Sequence, residues 1–330
     1  MNPIKLIEIL TDAFSNKEQI LVKGEPGIGK TDIIKQACKK IGANLIISHP
    51  AVSDPTDYKG LPVKAADGRH ADFLPFGETW EAINAKSLTI WFVDDLGQAN
   101  ETVQKALMQL LLGRRLNGQK LSEEVIFCGA TNDVNQRSGV SGLIEPVKSR
   151  WDSIVSLEVN ADDWSQWAVN NNMPIELIAF LRARPELLLK FEPTKELTNS
   201  PCPRTWASVG RRLARGVNDF ELFKGAVGQG AAHEFLAFLK LAKEAPSIDA
   251  ILADPEGAAI PEEPSLKYLV ASALAHKMTK QNITRAFKYL ERMPAPFRVM
   301  SIRHAMTKNA EICNTKDFIL WASGEGKELI

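Results

Sequence analysis

The sequence predicts an α/β protein: a parallel sheet with helical crossovers built around a phosphate-binding loop, carrying a β-hairpin insertion and followed by an all-α region. Three observations predict it. Short apolar runs at Gln19 to Lys23, Leu45 to Ser48, Leu88 to Val93, Val125 to Ala130 and Ile154 to Val159 alternate with helical patterns. A glycine-rich segment, Gly24 to Thr31, stands between the first run and the first of the following helical patterns. From Asp162 onward the strand signal fades and apolar residues recur at helical spacing.

In chain order, Ile4, Ile7, Leu10 and Phe14 lie on one face of an opening helix, and the first strand follows. Thr31 to Ile41 reads as the helix behind the glycine loop, with further helices at Glu78 to Ala85 and Glu101 to Leu112. Between the second and third strands, Leu61 to Lys64 and His70 to Leu74 flank an Ala-Asp-Gly turn signal, which predicts the hairpin. Helices are expected at Trp164 to Val169, Ile175 to Leu181, Thr205 to Leu213, Phe220 to Val227 and Ala231 to Leu241. The stretch from Glu244 to Ser265 holds four prolines and reads as a linker or loosely packed connection before helices at Lys267 to His276 and Asn282 to Glu291. The expected organisation is a nucleotide-binding α/β domain over 1–160, a helical lid over 161–242, and a linker with a C-terminal helical extension over 243–330.

The chain has 330 residues, 45% hydrophobic and 24% charged, an ordinary globular composition. No apolar run approaches the ~20 residues a membrane span needs, and the opening segment lacks the marks of a signal peptide, so a cytoplasmic location is expected. Cys38, Cys128, Cys202 and Cys313 are scattered without a CxxC pair, which speaks against zinc or a disulfide framework. The five histidines, His49, His70, His233, His276 and His304, show no ligand or triad spacing. Basic and acidic residues balance at 40 each, but not evenly along the chain. Six acidic residues and one basic lie between Lys243 and Glu263, against nine basic and one acidic between Lys267 and Lys308. The basic stretch is either a solvated face balanced by its acidic neighbour or a surface for a partner or nucleic acid.

The chemistry concentrates in three segments. Gly24-Glu25-Pro26-Gly27-Ile28-Gly29-Lys30-Thr31 is a full GxxxxGK[ST] between strand and helix. Its glycines let backbone N–H groups turn onto phosphates, Lys30 supplies a point charge to the terminal phosphates of ATP, and the Thr31 hydroxyl is placed to ligate Mg2+. The strand Ile90 to Val93 ends in Asp94 and Asp95, one carboxylate for the Mg2+ shell and one to orient the attacking water. The strand Val125 to Ala130 runs into Thr131 and Asn132, an amide for the lytic water or a γ-phosphate oxygen; alone it would read as a strand-ending turn.

With these segments in this order, the sequence resembles the AAA+ ATPases, and the hairpin insertion followed by VDDLGQANETVQKALMQLL is similar to their MoxR branch. The likeness covers roughly residues 15 to 215 at motif level. It implies that Asp94 and Asp95 form Walker B, that Asn132 is sensor 1, that Arg150 in EPVKSRW is an arginine finger acting on a neighbour's ATP, and that Arg204 in SPCPRTW is sensor 2. Arg137 is a weaker rival for the finger. The family usually has glutamate where this chain has Asp95, one methylene shorter, and a base misplaced by about 1 Å can lose on the order of 10²-fold in rate.

The resemblance implies a ring, expected to be a homo-hexamer, that couples ATP hydrolysis to remodelling or activating a protein partner, with a von Willebrand factor A domain protein as the expected companion. A nucleic-acid motor or loader using the basic C-terminal helices is the alternative, and an ATP-gated scaffold with slow hydrolysis is another.

Overall fold

The computed structural model describes residues 1–132, 142–191, 198–324 and 326–327. The chain divides into two compact units, Met1–Val159 and Asn160–Ile330.

In the first unit five strands, β1 (Ile20–Lys23), β2 (Asn44–Ser48), β5 (Thr89–Val93), β8 (Val125–Thr131) and β9 (Ser153–Ser156), form one sheet in the order β2-β5-β8-β1-β9. All its pairings are parallel, with Ile20 opposite both Cys128 and Ser153, and Thr89 opposite both Asn44 and Val125. The two central strands are buried at every residue, as expected of a parallel sheet covered on both faces, and that is why IWFV and VIFCGA read as continuous apolar runs. Trp91 stacks on Phe127 at 5.2 Å. Gly129 leaves room for Trp151, whose ring a Cβ there would meet at 2.7 Å.

Helices α1 (Pro3–Ser15), α2 (Lys30–Ile41), α3 (Gly77–Ile83), α4 (Glu101–Gly113) and the short α5 (Glu145–Lys148) complete the unit. The hairpin insertion is β3 (Leu61–Lys64) paired antiparallel with β4 (Ala71–Leu74), and its residues are exposed. A second hairpin, β6 (Arg115–Leu116) with β7 (Gln119–Lys120), was not anticipated, although Asn117-Gly118, both at positive φ, is a strong two-residue turn signal. Asn117 Nδ2 donates to the Lys59 carbonyl at 2.5 Å and Gln119 Nε2 to that of Phe73 at 3.1 Å, so the small hairpin braces the larger one.

The second unit is helical. α6 (Ala161–Asn170), α7 (Ile175–Ala183), α8 (Pro203–Leu213), α9 (Phe220–Val227) and α10 (Gln229–Leu241) include an aromatic cluster of Phe180, Trp206, Phe223, Phe235 and Phe238. α11 (Ile248–Ala253), α12 (Pro264–Lys277), α13 (Ile283–Glu291), α14 (Ala295–Lys308) and α15 (Lys316–Ser323) build a further core around Ile251, Leu274, Phe287, Ile302 and Trp321. α12 packs against both α7 and α14.

The proline-rich stretch read as a linker is ordered into this core. Ser247 caps α11 by accepting from the Ala250 N–H, Ile251 is wholly buried, and Pro264 sits in the first turn of α12, where a missing N–H costs nothing. The basic stretch is largely spent within the unit: Lys277 pairs with Asp249 at 2.7 Å, Lys288 with Glu256 at 2.8 Å and Lys280 with Glu311 at 3.2 Å. Arg292 donates to the Pro255 and Ala258 carbonyls. Among the described residues no helix is long and apolar enough to cross a membrane, and no group of three or more His, Cys, Asp or Glu could hold a metal. The four cysteines are free.

Candidate functional site

The connection from β1 leaves the sheet toward β2, whereas that from β8 leads the other way to β9, so the C-terminal ends of β1 and β8 flank a topological switch point, where ligands of open α/β sheets bind. Gly24 follows β1 there, and its N–H donates to the Thr131 carbonyl at 3.2 Å. A Cβ at Gly24 would meet Ile28 at 2.7 Å and the Leu157 carbonyl at 2.9 Å, so glycine is needed for the close approach. Gly27 (φ 75°) and Gly29 (φ 99°) take left-handed conformations that turn the loop into α2. Gly29 caps α2 without a side-chain hydrogen bond, and a Cβ there would meet nothing within 4 Å. The first amides of α2 thus have no capping side chain at the positive end of the helix dipole, an arrangement that fits a phosphate.

Lys30 is buried, and its ammonium donates to the carbonyls of Gly24 (2.8 Å) and Glu25 (3.0 Å) and to Asn132 Oδ1 (2.7 Å). The Thr31 hydroxyl donates to Asp94 Oδ2 at 2.7 Å, and Asp94 Oδ1 accepts the Asp95 N–H at 3.0 Å. Asn132 Nδ2 completes the circuit by donating to Asp95 Oδ1 at 3.3 Å. Asp95 holds φ 53° and ψ 35°, a left-handed conformation that Asp tolerates better than most residues; such strain, on the order of 1 to 3 kcal/mol, clusters at functional sites.

The structure therefore brings Gly24 to Thr31, Asp94, Asp95 and Asn132 to one end of the sheet. Asn132, expected on water or phosphate, lies between Lys30 and Asp95 and bonds to both. Thr31 and Asp94 are the residues that would hold Mg2+, which when bound would neutralise charge on phosphate oxygens.

Arg150 lies elsewhere. It follows α5 and precedes β9, whose Ser153 aligns with Ile20, at the start of β1. Asp152 is tied to Gln19 there by two hydrogen bonds, from its N–H at 3.0 Å and to its carboxylate at 2.7 Å. The four residues of β1, roughly 13 Å of strand, thus separate the Arg150 end of the sheet from the phosphate loop. Arg150 Nη1 donates to Ser149 Oγ at 3.0 Å, while its buried Nε has no hydrogen-bond partner among the described residues. Gln104, wholly buried on α4, anchors the segment leading to α5: its amide donates to the Ala99 and Gly142 carbonyls and accepts the Ile144 N–H. No local motif marks Gln104 in the sequence. Arg204 belongs to the second unit, exposed in the first turn of α8. Arg137 lies outside the described residues.

Residues 20–158 match the model of the AAA family, the ATPase family associated with various cellular activities. No curated protein matches the chain in sequence. Among solved structures it is similar to Thermotoga maritima RuvB, titled a Holliday junction branch migration motor, at 14% identity over 88% of this chain and 86% of that one, with a TM-score of 0.42. A point mutant of the same protein gives 14% identity over 88% and 86%, with a TM-score of 0.44. Likenesses this distant carry nothing about activity. The glycine loop with its uncapped helix, the Thr31 and Asp94 pair and the matched family model all fall on the same parallel sheet, and the first unit has the AAA+ P-loop ATPase fold.

Proposed function

We propose that this chain is a ring-forming, MoxR-like AAA+ ATPase that couples Mg-ATP binding and hydrolysis to remodelling or activating a partner protein in the cytoplasm. The observation that carries this reading is the division of the sheet into two ends. One end gathers Lys30, Thr31, Asp94, Asp95 and Asn132. The other presents Arg150, about one strand length away and out of reach of the same phosphate loop.

A guanidinium offered from a neighbouring subunit neutralises charge in the transition state and is worth about 10³ to 10⁵ in rate in other nucleotidases. Arg150 supplies that group in trans, which requires a ring, a homo-hexamer in this proposal. Asp95, oriented by the Asn132 amide, receives the proton of the attacking water, and Lys30 holds the terminal phosphates. Arg204 is assigned to report nucleotide state to the helical unit. The protein partner is taken to contain a von Willebrand factor A domain. The nucleic-acid alternative is less favoured, because Lys277, Lys280 and Lys288 are already paired with acids of the same unit.

Steady-state ATP hydrolysis across protein concentrations tests the proposal. Specific activity should rise with concentration, Lys30→Ala and Arg150→Ala should each be inactive, and mixing the two variants should restore activity through sites that draw Lys30 from one chain and Arg150 from the other. No recovery at any mixing ratio sinks the trans finger; binding of ATP without turnover by the wild type turns the reading toward a scaffold.

A further inference from the structure

Ser48 is the last residue of β2 and is wholly buried at the end of the sheet that carries the phosphate loop. Its side chain gathers groups from three elements. The Trp91 indole N–H donates to Ser48 Oγ at 2.7 Å. The Ser48 hydroxyl in turn donates to the carboxylate of Glu78 in the first turn of α3. The Tyr58 hydroxyl lies against the hydroxyls of Ser48 and Ser53, at 3.2 Å from the latter. Burial pushes the Tyr58 phenol up to about 12, with the two serine hydroxyls pulling the other way. Burial also raises the Glu78 carboxyl above its ordinary value, against the Ser48 hydroxyl.

These partners stand at the two feet of the hairpin. Tyr58 ends the short turn Pro55–Tyr58 just before β3, and Glu78 follows β4 at the start of α3. The main chain of Ser48 completes the link, for its carbonyl accepts the Asp94 N–H at 2.9 Å. Asp94 then holds the Thr31 hydroxyl and the Asp95 N–H through its two carboxylate oxygens.

We propose that Ser48 and Glu78 are positioning residues of the ATP site: their hydrogen bond clamps the feet of the hairpin to the end of β2 and thereby sets where Asp94 and Asp95 stand relative to Thr31. The inference rests on the ATPase reading. It predicts an asymmetry between ground-state binding and turnover, because Lys30 and the glycine loop are anchored through β1 and β8 and do not depend on the clamp.

The test uses the full chain and compares wild type with Glu78→Ala, Glu78→Gln, Ser48→Ala and the Glu78→Ala/Ser48→Ala pair. Nucleotide affinity in the absence of Mg2+ should stay within about twofold, while kcat falls about tenfold in Glu78→Ala and in Ser48→Ala, less than the roughly hundredfold cost of a catalytic group displaced by a full ~1 Å. Glu78→Gln should recover most of the loss, since its amide oxygen still accepts the Ser48 hydroxyl. The double variant should be no worse than either single one, because both break the same bond. Additive losses, full activity in Glu78→Ala, or a loss that Glu78→Gln does not repair would each overturn the clamp. Wild-type hydrolysis in the same experiment reports on the ATPase reading separately. If wild type binds ATP without turnover, the variants are read by the Mg2+ concentration that half-saturates nucleotide binding: a severalfold rise in Glu78→Ala, repaired in Glu78→Gln, supports the clamp, and no rise overturns it.

Discussion

A buried polar cluster at the phosphate loop and one in the helical unit meet their hydrogen-bonding needs differently. In the α/β unit, Lys30 and Asp94 are 7% and 8% exposed, and their bonds run to named carbonyls, hydroxyls, amides and N–H groups. In the helical unit, His304 on α14 is 3% exposed and Ser272 on α12 is wholly buried, while only 7% of the Arg182 side chain on α7 is exposed. Both ring nitrogens of His304, Ser272 Oγ, and Nε and Nη1 of Arg182 have no hydrogen-bond partner among the described residues, and Arg182 meets Asp162 only at 4.0 Å. A buried polar group must be paired or else lose its charge, because an isolated ion in a low-dielectric interior costs several kcal/mol. At the phosphate loop Lys30 and Asp94 are both paired, which leaves charged groups in place for a ligand. The helical unit discharges one: burial first, then the neighbouring Arg182, His276 and Lys308, pull the His304 imidazole down to about 3.

The contrast breaks most directly at Lys30. If the paired network exists for phosphate, Lys30→Ala should lower ATP hydrolysis by at least about a hundredfold while the fold survives, as read by steady-state turnover beside a thermal melt. Equal losses of turnover and of folded protein would make the network structural.

A smaller effect is expected in the helical unit, where stability comes from apolar burial. Ile251→Ala should destabilise that unit by about 2 to 5 kcal/mol in urea unfolding, since Ile251 is wholly buried between α12 and α13. A loss under about 1 kcal/mol would mean that α11 is a loosely held linker after all.

The gentlest test concerns His304. Its folded value lies below the ordinary 6.5, so the unfolded chain takes up a proton first as pH falls. The associated stability is fully present above pH 6.5 and is lost as pH falls toward about 3, with a slope of up to about 1.4 kcal/mol per pH unit. His304→Leu should flatten that part of the profile relative to wild type. Parallel profiles for the two proteins would show that His304 is not buried as a neutral ring.

Much of the site was legible because its parts are short and contiguous. Gly24 to Thr31 encodes its own loop through glycines that reach positive φ, and the apolar strand before Asp94 can end only where the sheet meets solvent. The same local logic marked the larger hairpin and most helices. It misread the stretch from Glu244 to Ser265, because prolines at helix starts look like prolines in linkers until Ile251 is seen in its core. It also missed α14, whose apolar residues are interleaved with Arg298, Arg303 and Lys308.

By itself, then, the sequence determined the strand, loop and helix around each motif, since these depend on φ preferences and on apolar periodicity within about ten residues. The sheet order and register decided the rest. They set Asn132 against Lys30 across 102 positions, Thr31 against Asp94 across 63, both feet of the hairpin against Ser48, and Arg150 at the far end of the sheet. Such pairs belong to no segment of the chain, because strand neighbours are chosen by the packing of the whole sheet between its helices.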